Sequence, residues 1–398
     1  GSTIKPLIYA AAFAKGWAPA TVVLDEPTAF PNAPGLPPYR PHNYDLKFDG
    51  AMTVRHALAN SKNIPAVKAL MYVGIPDFVK TAADFGVQID NPSLYGLSIG
   101  LGGGETRLID LVGAYAAIAN YGRYIPPVAI LKIEDAEGNI IEEYEPPEGR
   151  QVVSPVQAYM VTSILSDNTA REPLQGPNSP LKLSRPAAAK TGSTDNYRDS
   201  WTIGYTPDLT TGVWVGNTDN SPMKEVLGSM GAGRIWHRFM EDVHVGTPVL
   251  DFVPPPGVTE YRVCNETGGP VTPDCKRELI EVYPQGYDYV RWAAIEGLPT
   301  PAPRGTPLGR TVSETGASLV PTPTLMPGEP TPTPAPTSQP APASGGGEPA
   351  VPPPGPAAGA APSAPTPGPG APQPAASQPG QSPGVTSRPP APGATAGP

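Results

Sequence analysis

The first residues of the chain that could do chemistry are a serine and a lysine three positions apart, Ser2 and Lys5. In a helix this spacing puts both side chains on one face, within hydrogen-bonding reach. A serine hydroxyl becomes a good nucleophile when a base removes its proton, and a lysine can be that base when burial lowers its pKa. Taken alone, such a pair is more often a helix N-cap beside a solvated lysine. Together with the motifs described next, it predicts a nucleophilic Ser2 with Lys5 as general base.

A second serine is followed two positions later by an asparagine, Ser61 and Asn63. Both are predicted to lie in a loop between two helices. There the Ser61 hydroxyl can relay a proton, and the Asn63 carboxamide can contact both a substrate amide and the base. A Ser-Asp-Asn triplet at residues 166–168 has the same pattern, but it comes shortly before the third motif. We favour Ser61 and Asn63, because their position leaves room for a helical lobe to fold back over the nucleophile.

The most specific motif is Lys190-Thr191-Gly192-Ser193, which is predicted to lie on an edge strand. Side chains alternate along a strand, so Lys190 and Gly192 should point to one side, and Thr191 and Ser193 to the other. A glycine leaves space for the close approach of a substrate backbone, and an ammonium beside hydroxyls suits a terminal carboxylate. The backbone N–H groups of Ser193 and Ser2 can together form an oxyanion hole.

Hydrophobic periodicity, punctuated by Gly and Pro, predicts the elements that position these motifs. A mostly helical half is followed by three antiparallel strands and a closing helix, which is an α+β architecture. Trp201, Trp214 and Trp236 are predicted to form the core between this sheet and the closing helix. The predicted helices cover residues 2–15, 52–59, 65–73, 76–85, 106–119, 155–166 and 233–243. The predicted strands cover 186–194, 199–206 and 211–217, with a hairpin at 128–145 and an extended loop at 17–50.

Composition divides the 398 residues into three parts. Residues 1–250 carry the motifs, and residues 251–298 have the scattered Pro, Gly and Cys of a small β-rich or irregular extension. Residues 299–398 hold about half of the 59 prolines and no aromatic residue, so they are predicted to be a disordered tail. Cys264 and Cys275 lie close together, and a disulfide is slightly favoured over two free thiols if the protein is extracytoplasmic.

Charge and hydropathy argue against several classes of function. The net charge is −9 and no basic cluster occurs, which argues against a nucleic-acid partner. No apolar run is long enough for a membrane span. The four histidines are scattered without paired ligand spacing, and the glycines at 102–104 lack the Lys-Ser/Thr of a phosphate loop. We therefore expect no metal and no other cofactor.

The motifs and their flanks resemble the transpeptidase domain of class A, bifunctional penicillin-binding proteins, over residues 1 to about 260. The flanking matches are Gly-Ser-Thr-Ile-Lys-Pro, Asn-Ser-Lys-Asn-Ile-Pro-Ala-Val, Leu-Gly-Gly-Gly-Glu-Thr, Asp-Ser-Trp-Thr-Ile-Gly-Tyr-Thr-Pro and Thr-Gly-Val-Trp-Val-Gly. The resemblance implies the fold shared by penicillin-binding proteins and serine β-lactamases. It also implies D,D-transpeptidation of peptidoglycan stem peptides, in which Ser2 attacks the D-Ala-D-Ala bond, D-Ala leaves, and an amine of a neighbouring strand takes the acyl group.

The same resemblance gives each motif residue a role. Lys5 would be the general base, Ser61 the proton relay and Asn63 a contact for a substrate amide, while β-lactams would acylate Ser2 as substrate mimics. The resemblance further implies an upstream glycosyltransferase domain and membrane anchor, which would place the protein in the periplasm or on the outer face of the cell membrane. The substrate's terminal carboxylate would be bound by Lys190, Thr191, Gly192 and Ser193.

Other functions of the same fold remain as alternatives. In the family, sheet strands precede the Ser-x-x-Lys helix, so the sheet here is expected to lack strands and the chain to acylate weakly by itself. A class A β-lactamase would need a Glu-x-x-x-Asn loop, which is absent between residues 105 and 172. A D,D-carboxypeptidase needs only water in place of the acceptor amine. A non-catalytic β-lactam sensor would need a membrane-coupled signalling segment, and the sequence contains none.

Overall fold

The computed structural model describes residues 1–287 apart from Glu225, Leu227 and Glu266, together with a strand at 306–311. These residues belong to one unit, Gly1–Pro321. Within this described part, no helix is both long and apolar enough to cross a membrane. The helices are α1 (Lys5–Ala14), α2 (Val54–Ala59), α3 (Asn63–Val73), α4 (Ile75–Asp84), α5 (Pro92–Tyr95), α6 (Leu108–Ala119), α7 (Pro155–Leu165), α8 (Asn168–Gln175) and α9 (Ala232–Val243).

The strands form small antiparallel sheets, and every predicted strand and helix has a counterpart in the structure. The strand at 306–311 lies within the tail predicted to be disordered, so that prediction is wrong for these six residues, which pair with an earlier strand. The rest of the tail lies outside the described residues, and its disorder stays a prediction. The strands are β1 (Val22–Asp25), β2 (Gly50–Thr53), β3 (Arg123–Tyr124), β4 (Lys132–Glu134), β5 (Ile140–Glu143), β6 (Arg150–Gln151), β7 (Ala188–Ser193), β8 (Asp199–Tyr205), β9 (Thr210–Gly216), β10 (Val258–Cys264), β11 (Glu278–Pro284) and β12 (Thr306–Thr311).

The sequence did not predict the short elements β1, β2, β3, β6, α5 and α8. The helix predicted from residue 52 begins at Val54, because Met52 and Thr53 belong to β2. The segment predicted as a loop at 17–50 contains β1, which pairs with β2 in antiparallel register, Val22 opposite Thr53. The pairing is non-local and each strand has only four residues, so periodicity gave no signal for it. The loop predicted after α7 contains α8, a polar helix that carries Pro173 in its interior. Proline disfavours helix interiors, and this misled the prediction.

Helix α1 lies at the centre of the core. Every residue from Lys5 to Phe13 is buried, because the helix is apolar or small on all its faces. Helices α3, α4 and α7 pack around it. Lys5 is the only charged residue of α1 and is fully buried. The first turn of the central helix therefore brings one amine into the interior.

The sheet that carries the third motif has the order β7-β8-β9, with the predicted antiparallel pairing. Helix α6 packs on one face and α9 on the other, so the closing helix is confirmed. Trp236 of α9 is buried as predicted. Trp214 is 40% exposed, and the prediction that it joins the core is wrong. Its indole N–H instead donates to Asp199 Oδ1 at 2.8 Å on the sheet surface.

The C-terminal strands are joined closely to the rest of the unit. Strand β10 pairs with β11 and β12. Cys264 at the end of β10 forms a disulfide with Cys275 in the loop before β11, as the sequence favoured. Val258 and Val282 belong to the main hydrophobic core. The described part of residues 258–284 is thus a β-rich segment that packs against α7 and the main core.

The attachment of this segment also includes a buried ion pair. The Arg55 guanidinium on α2 donates to both carboxylate oxygens of Glu281 on β11, at 2.8 and 2.5 Å. Both side chains are nearly inaccessible to solvent. The pair fixes α2, the helix that precedes the second motif, against β11.

Candidate active site

Ser2 lies in a 3-10 turn, Ser2–Ile4, that leads directly into α1. Gly1 occupies the N-cap position and no side chain caps the turn, so the N-cap alternative for Ser2 does not hold. The turn is anchored by the Tyr115 hydroxyl of α6, which donates to the Thr3 carbonyl at 2.8 Å. The Ser2 side chain is partly exposed and is not used to cap the helix.

One helical turn further on, the Lys5 Nζ donates to three oxygens of the second motif. These are the Ser61 carbonyl at 2.7 Å, the Asn63 Oδ1 at 2.7 Å and the Lys62 carbonyl at 3.2 Å. The contacts connect α1 to the start of α3. The contact between Lys5 and the Asn63 carboxamide was predicted from the sequence, whereas the two backbone carbonyls were not. Asn63 is the first residue of α3, so it lies on the helix and not in the loop that the sequence predicted.

Burial and a neighbouring positive charge shift Lys5 toward its neutral form, against three oxygen acceptors that stabilise the ammonium. Burial lowers the pKa of Lys5 well below its usual value, the positive charge of Lys190 lowers it further, and the Asp25 carboxylate opposes both effects. A buried amine that gives up its proton easily has the property required of a general base. The alternative of a solvated lysine is therefore wrong.

Ser61 connects Lys5 to a second buried lysine. It lies in the turn between α2 and α3 with a φ of 55°, a left-handed conformation that costs a non-glycine residue about 1–3 kcal/mol. Lys190 Nζ donates to the Ser61 Oγ at 2.8 Å and to the Thr191 carbonyl at 2.8 Å. Burial lowers the pKa of Lys190 to about 7, with a smaller contribution from the charge of Arg171. The Ser61 hydroxyl thus faces a lysine that exchanges protons near neutral pH.

The alternation predicted for β7 is observed. Lys190 points into the domain, whereas Thr191 and Ser193 use their hydroxyl oxygens to accept hydrogen bonds on the other face. The Thr191 Oγ1 accepts from the Gln175 Nε2 at 3.3 Å, and the Ser193 Oγ accepts from the Gly228 N–H at 2.9 Å. Because both hydroxyls act as acceptors in these bonds, their own protons stay available to another group.

Gly192 has a different neighbour from the one predicted. A Cβ at this position would lie 3.0 Å from the Thr3 Cγ2 and 3.1 Å from the Thr3 backbone N. The space that the glycine leaves is therefore filled by the chain's own Ser2–Ile4 turn, and not by a substrate backbone. Its physical role is to let β7 approach the turn that carries the nucleophile.

The backbone of β7 faces the nucleophile as well. The Thr194 N–H donates to the Asp199 carbonyl on the β8 side, and successive N–H groups of a strand alternate in direction. The N–H of Ser193 therefore points to the open edge of the sheet. Gly1 lies at this edge, since a Cβ on Gly1 would be 3.3 Å from the Ser193 N. This is the orientation that an oxyanion hole with the Ser2 N–H requires.

A cleft of about 1320 Å³ opens over these groups. Lys5 and Lys190 are 0% and 3% exposed and lie beneath its floor. Lys190 thus contacts Ser61 from beneath the cleft. The sequence had predicted that Lys190 contacts the carboxylate of the substrate directly. The predicted residues that line the cleft itself are Ser2, Ser61, Asn63, Thr191, Gly192 and Ser193.

The competing triplet at 166–168 serves helix packing. The Ser166 hydroxyl donates to the Thr162 carbonyl at 2.9 Å, within the end of α7. The Asp167 carboxylate caps α8 by accepting from the Ala170 N–H, and it also pairs with Arg55. These contacts support the preference for Ser61 and Asn63 as the second motif.

Sequence reasoning missed the residues that support the second motif from behind. Asp25 is fully buried, and both its carboxylate oxygens accept from the Asn43 Nδ2 at 2.8 Å. The Asn43 Oδ1 accepts in turn from the Asn63 N–H at 2.8 Å, and the Lys62 Nζ pairs with Asp49 at 2.6 Å. The Asp and Asn content of the predicted loop at 17–50 was the only signal, and it does not say which side chain is buried.

Comparison with known proteins defines the family. Residues 1–241 match the model of the penicillin binding protein transpeptidase domain, and the chain therefore belongs to this family. The family and the penicillin-binding/β-lactamase-like fold, both predicted from the sequence, are confirmed.

The relatives are considerably longer than this chain. Penicillin-binding protein 2D of Bacillus subtilis is 35% identical over 291 residues, which cover 72% of this chain and 41% of the relative. Penicillin-binding protein 1A of Aquifex aeolicus is 34% identical over 260 residues, covering 64% of this chain and 34% of the relative. The chain thus spans less than half the length of these two relatives.

Two solved structures are similar to the greater part of this chain. Penicillin-Binding Protein 1A from Haemophilus influenzae has a TM-score of 0.63 at 26% identity, covering 72% of this chain and 48% of that one. PonA1 from Mycobacterium tuberculosis, solved in complex with penicillin V, has a TM-score of 0.55 at 25% identity. This second match covers 64% of this chain and 71% of PonA1.

Proposed function

We propose that the chain is a D,D-transpeptidase that cross-links peptidoglycan stem peptides through an acyl-enzyme on Ser2. The observation that carries this proposal is the convergence of two buried lysines, Lys5 and Lys190, on Ser61 beneath the cleft that Ser2 lines. Burying an amine is costly unless its proton is used or paired. Two buried amines that contact the same serine can act as an acid–base pair, whereas they contribute little to the stability of the fold.

In the acylation step, the Ser2 hydroxyl attacks the carbonyl carbon of the D-Ala-D-Ala peptide bond. The neutral Lys5 amine takes the Ser2 proton, and an Oγ–C bond forms. The carbonyl oxygen acquires the negative charge and accepts hydrogen bonds from the N–H groups of Ser2 and Ser193. Preorganised donors of this kind typically contribute a factor of about 10²–10³ each.

In the second half of acylation, the C–N bond breaks and D-Ala leaves as a neutral amine. Its nitrogen takes the Ser61 hydroxyl proton, which the Lys190 ammonium replaces across their 2.8 Å hydrogen bond. Lys5 has then gained one proton and Lys190 has lost one. Transfer of this proton back from Lys5 to Lys190 restores the starting state.

The substrate's terminal carboxylate is bound by the face of β7 that lines the cleft. The Thr191 and Ser193 hydroxyls each accept a hydrogen bond from the protein, so both can donate to the carboxylate. The positive charge of Lys190 beneath the strand adds an attractive field without direct contact. The one Asn63 amide proton that is not bonded to the His42 carbonyl can hold a substrate carbonyl.

In deacylation, an amine of a second stem peptide attacks the carbonyl carbon of the Ser2 ester, and Lys5 takes the proton that the amine loses. As the C–Oγ bond breaks, Lys5 passes this proton to the Ser2 Oγ and is neutral again. Water in the place of the amine would give a D,D-carboxypeptidase, which is the second candidate. By analogy with PonA1, whose structure contains penicillin V, we further propose that β-lactams acylate Ser2. An extracytoplasmic site of action follows from this substrate.

Labelling with a fluorescent penicillin tests the nucleophile. We expect covalent, saturable labelling of the wild-type chain, at the low rate expected for the chain by itself, a mass increase on the peptide that contains Ser2, and no labelling of Ser2→Ala. Ser98→Ala is the matched control, because Ser98 also lines the cleft and, among the described residues, its hydroxyl donates to the Tyr95 carbonyl alone. Labelling that persists in Ser2→Ala would refute the assignment.

Product analysis separates transpeptidation from hydrolysis. A stem-peptide donor that ends in D-Ala-D-Ala is incubated with the enzyme, with and without an amine acceptor. We expect an acceptor-dependent cross-linked product and one D-Ala released for each bond formed. Release of D-Ala with the hydrolysed donor as the sole product would favour the carboxypeptidase, and labelling with no turnover would favour a sensor.

A further inference from the structure

A chain of buried polar groups runs from β1 to the catalytic lysine. The Asp25 carboxylate at the end of β1 is fully buried, and Asn43, which is 2% exposed, donates to both of its oxygens. Asp25 also accepts from the Asp49 N–H at 3.0 Å. The same Asn43 Nδ2 contacts the Lys47 carbonyl at 2.7 Å. With its amide nitrogen committed in this way, Asn43 has one fixed orientation.

The other end of the Asn43 amide reaches the site. Its Oδ1 accepts from the backbone N–H of Asn63 at 2.8 Å, and the Asn63 Nδ2 donates to the neighbouring His42 carbonyl at 2.6 Å. These two bonds hold the Asn63 backbone and carboxamide from the same side. The Asn63 Oδ1 is left facing the Lys5 Nζ at 2.7 Å.

We propose that Asn43 and Asp25 are positioning residues of the acylation reaction, which fix the Asn63 carboxamide so that its oxygen faces Lys5. Neither residue needs to contact the substrate. This inference rests on the proposed function, because it concerns how the base that activates Ser2 is held. A buried, fully satisfied polar network of this kind defines one geometry, and loosening one member loosens the others.

The carboxylate has a second, electrostatic consequence. The charged groups that act on Lys5 are Lys190 from β7, whose ammonium destabilises the protonated form, and Asp25 from β1, whose carboxylate stabilises it. Lys62, just before α3, is nearby but is engaged with Asp25, Asp45 and Asp49. Removing the Asp25 charge should therefore lower the pKa of Lys5, so that Lys5 becomes neutral at a lower pH.

The test measures the rate constant of Ser2 acylation by a fluorescent penicillin as a function of pH, using the full chain. For Asn43→Ala we expect a loss of about tenfold or more, because small displacements of a catalytic group are costly. In an Asn63→Ala background the same change should cost less than about threefold, since residues that act through one another are not additive. Asn32→Ala is the matched control, because Asn32 is an exposed asparagine of the same loop that bonds only locally. It should acylate at the wild-type rate.

Asp25→Asn preserves shape and removes charge. We expect a lower rate and an ascending limb of the pH–rate profile shifted to lower pH by about half a unit or more, whereas a purely structural role would lower the rate without moving the limb. The rate constant is read separately from the labelling amplitude, so partial unfolding lowers the amplitude alone.

The outcomes separate the two proposals. If Asn43→Ala acylates within about twofold of wild type while Asn63→Ala does not, the positioning role is wrong and the proposed function stands. If the ascending limb of the pH–rate profile does not move in Asp25→Asn, the electrostatic role of Asp25 is wrong. If the losses from Asn43→Ala and Asn63→Ala are additive in the double variant, Asn43 does not act through Asn63. If the wild-type chain shows no Ser2-dependent labelling, both proposals fail.

Discussion

The close approach of Gly192 to Thr3 makes a sharp test of the site geometry. Replacing Gly192 by alanine adds one methyl group between β7 and the turn that carries Ser2. The added Cβ would lie 3.0 Å from the Thr3 Cγ2 and 3.1 Å from the Thr3 N, where ordinary contacts are 3.4–4 Å. The strand and the turn must therefore separate by a few tenths of an ångström.

The expected effect on acylation is large because both oxyanion donors lie on the two segments that separate. Complete loss of one such donor costs a factor of about 10²–10³, and a partial displacement of both should cost about 10–100-fold. The effect on folding should be small. Alanine restricts the unfolded chain and so stabilises by about 0.4–1 kcal/mol, which offsets part of the new steric strain. We expect the free energy of unfolding to change by less than about 1 kcal/mol.

Stopped-flow labelling with a fluorescent penicillin gives the acylation rate constant, and urea titration gives the free energy of unfolding. The control is Gly113→Ala on α6, where a Cβ would meet only the Tyr124 ring at 3.5 Å. This variant should gain up to about 1 kcal/mol of stability and keep the wild-type acylation rate. A wild-type acylation rate in Gly192→Ala would refute the proposed geometry of the oxyanion hole. So would a loss of rate that is fully explained by a lower free energy of unfolding.

Three further predictions concern charges and the disulfide. Acylation should decline as the pH rises through about 7, because burial lowers the pKa of Lys190 to about 7 and only its ammonium form can supply the proton that reaches the leaving amine through Ser61. Arg171→Met removes a positive charge, so it should raise the pKa of Lys190 and move this decline to higher pH in the same labelling assay. Arg55→Met leaves a buried carboxylate on β11 without its partner and should cost about 3–5 kcal/mol in urea unfolding, whereas replacing both members of the pair by apolar residues should recover most of it. Reduction of the Cys264–Cys275 disulfide should cost about 2–4 kcal/mol in thermal unfolding through loss of loop closure and leave the acylation rate unchanged.

The sequence predicted the motif residues and the helices because both depend on short-range information. Lys5 begins α1, whose apolar periodicity is local, and Ser2 lies in the 3-10 turn that leads into it. The β7–β8–β9 sheet was predictable for a similar reason, since a turn at Pro207-Asp208 separates two strand-like runs.

The missing parts are contacts between distant segments, which periodicity does not encode. Lys190 and Ser61 are 129 positions apart, and Arg55 and Glu281 are 226 apart. Which of many aspartates and asparagines becomes buried, such as Asp25, is decided by packing around the central helix. The misassigned role of Gly192 has the same origin, because its neighbour Thr3 belongs to the other end of the domain.

Lys5 and Lys190 are best understood as a coupled pair of buried amines. Two ammonium groups that share one buried site repel each other, so the lower-energy state has one neutral amine and one charged amine, which corresponds to one base and one acid. Ser61 lies between them, with its carbonyl toward Lys5 and its hydroxyl toward Lys190. A residue in an extended or right-handed helical conformation would aim these two groups differently, and the left-handed φ of 55° is the conformation that points them at separate lysines. The backbone strain at Ser61 is therefore part of the proposed acid–base mechanism, since it lets a single residue contact the base with its backbone and the acid with its side chain.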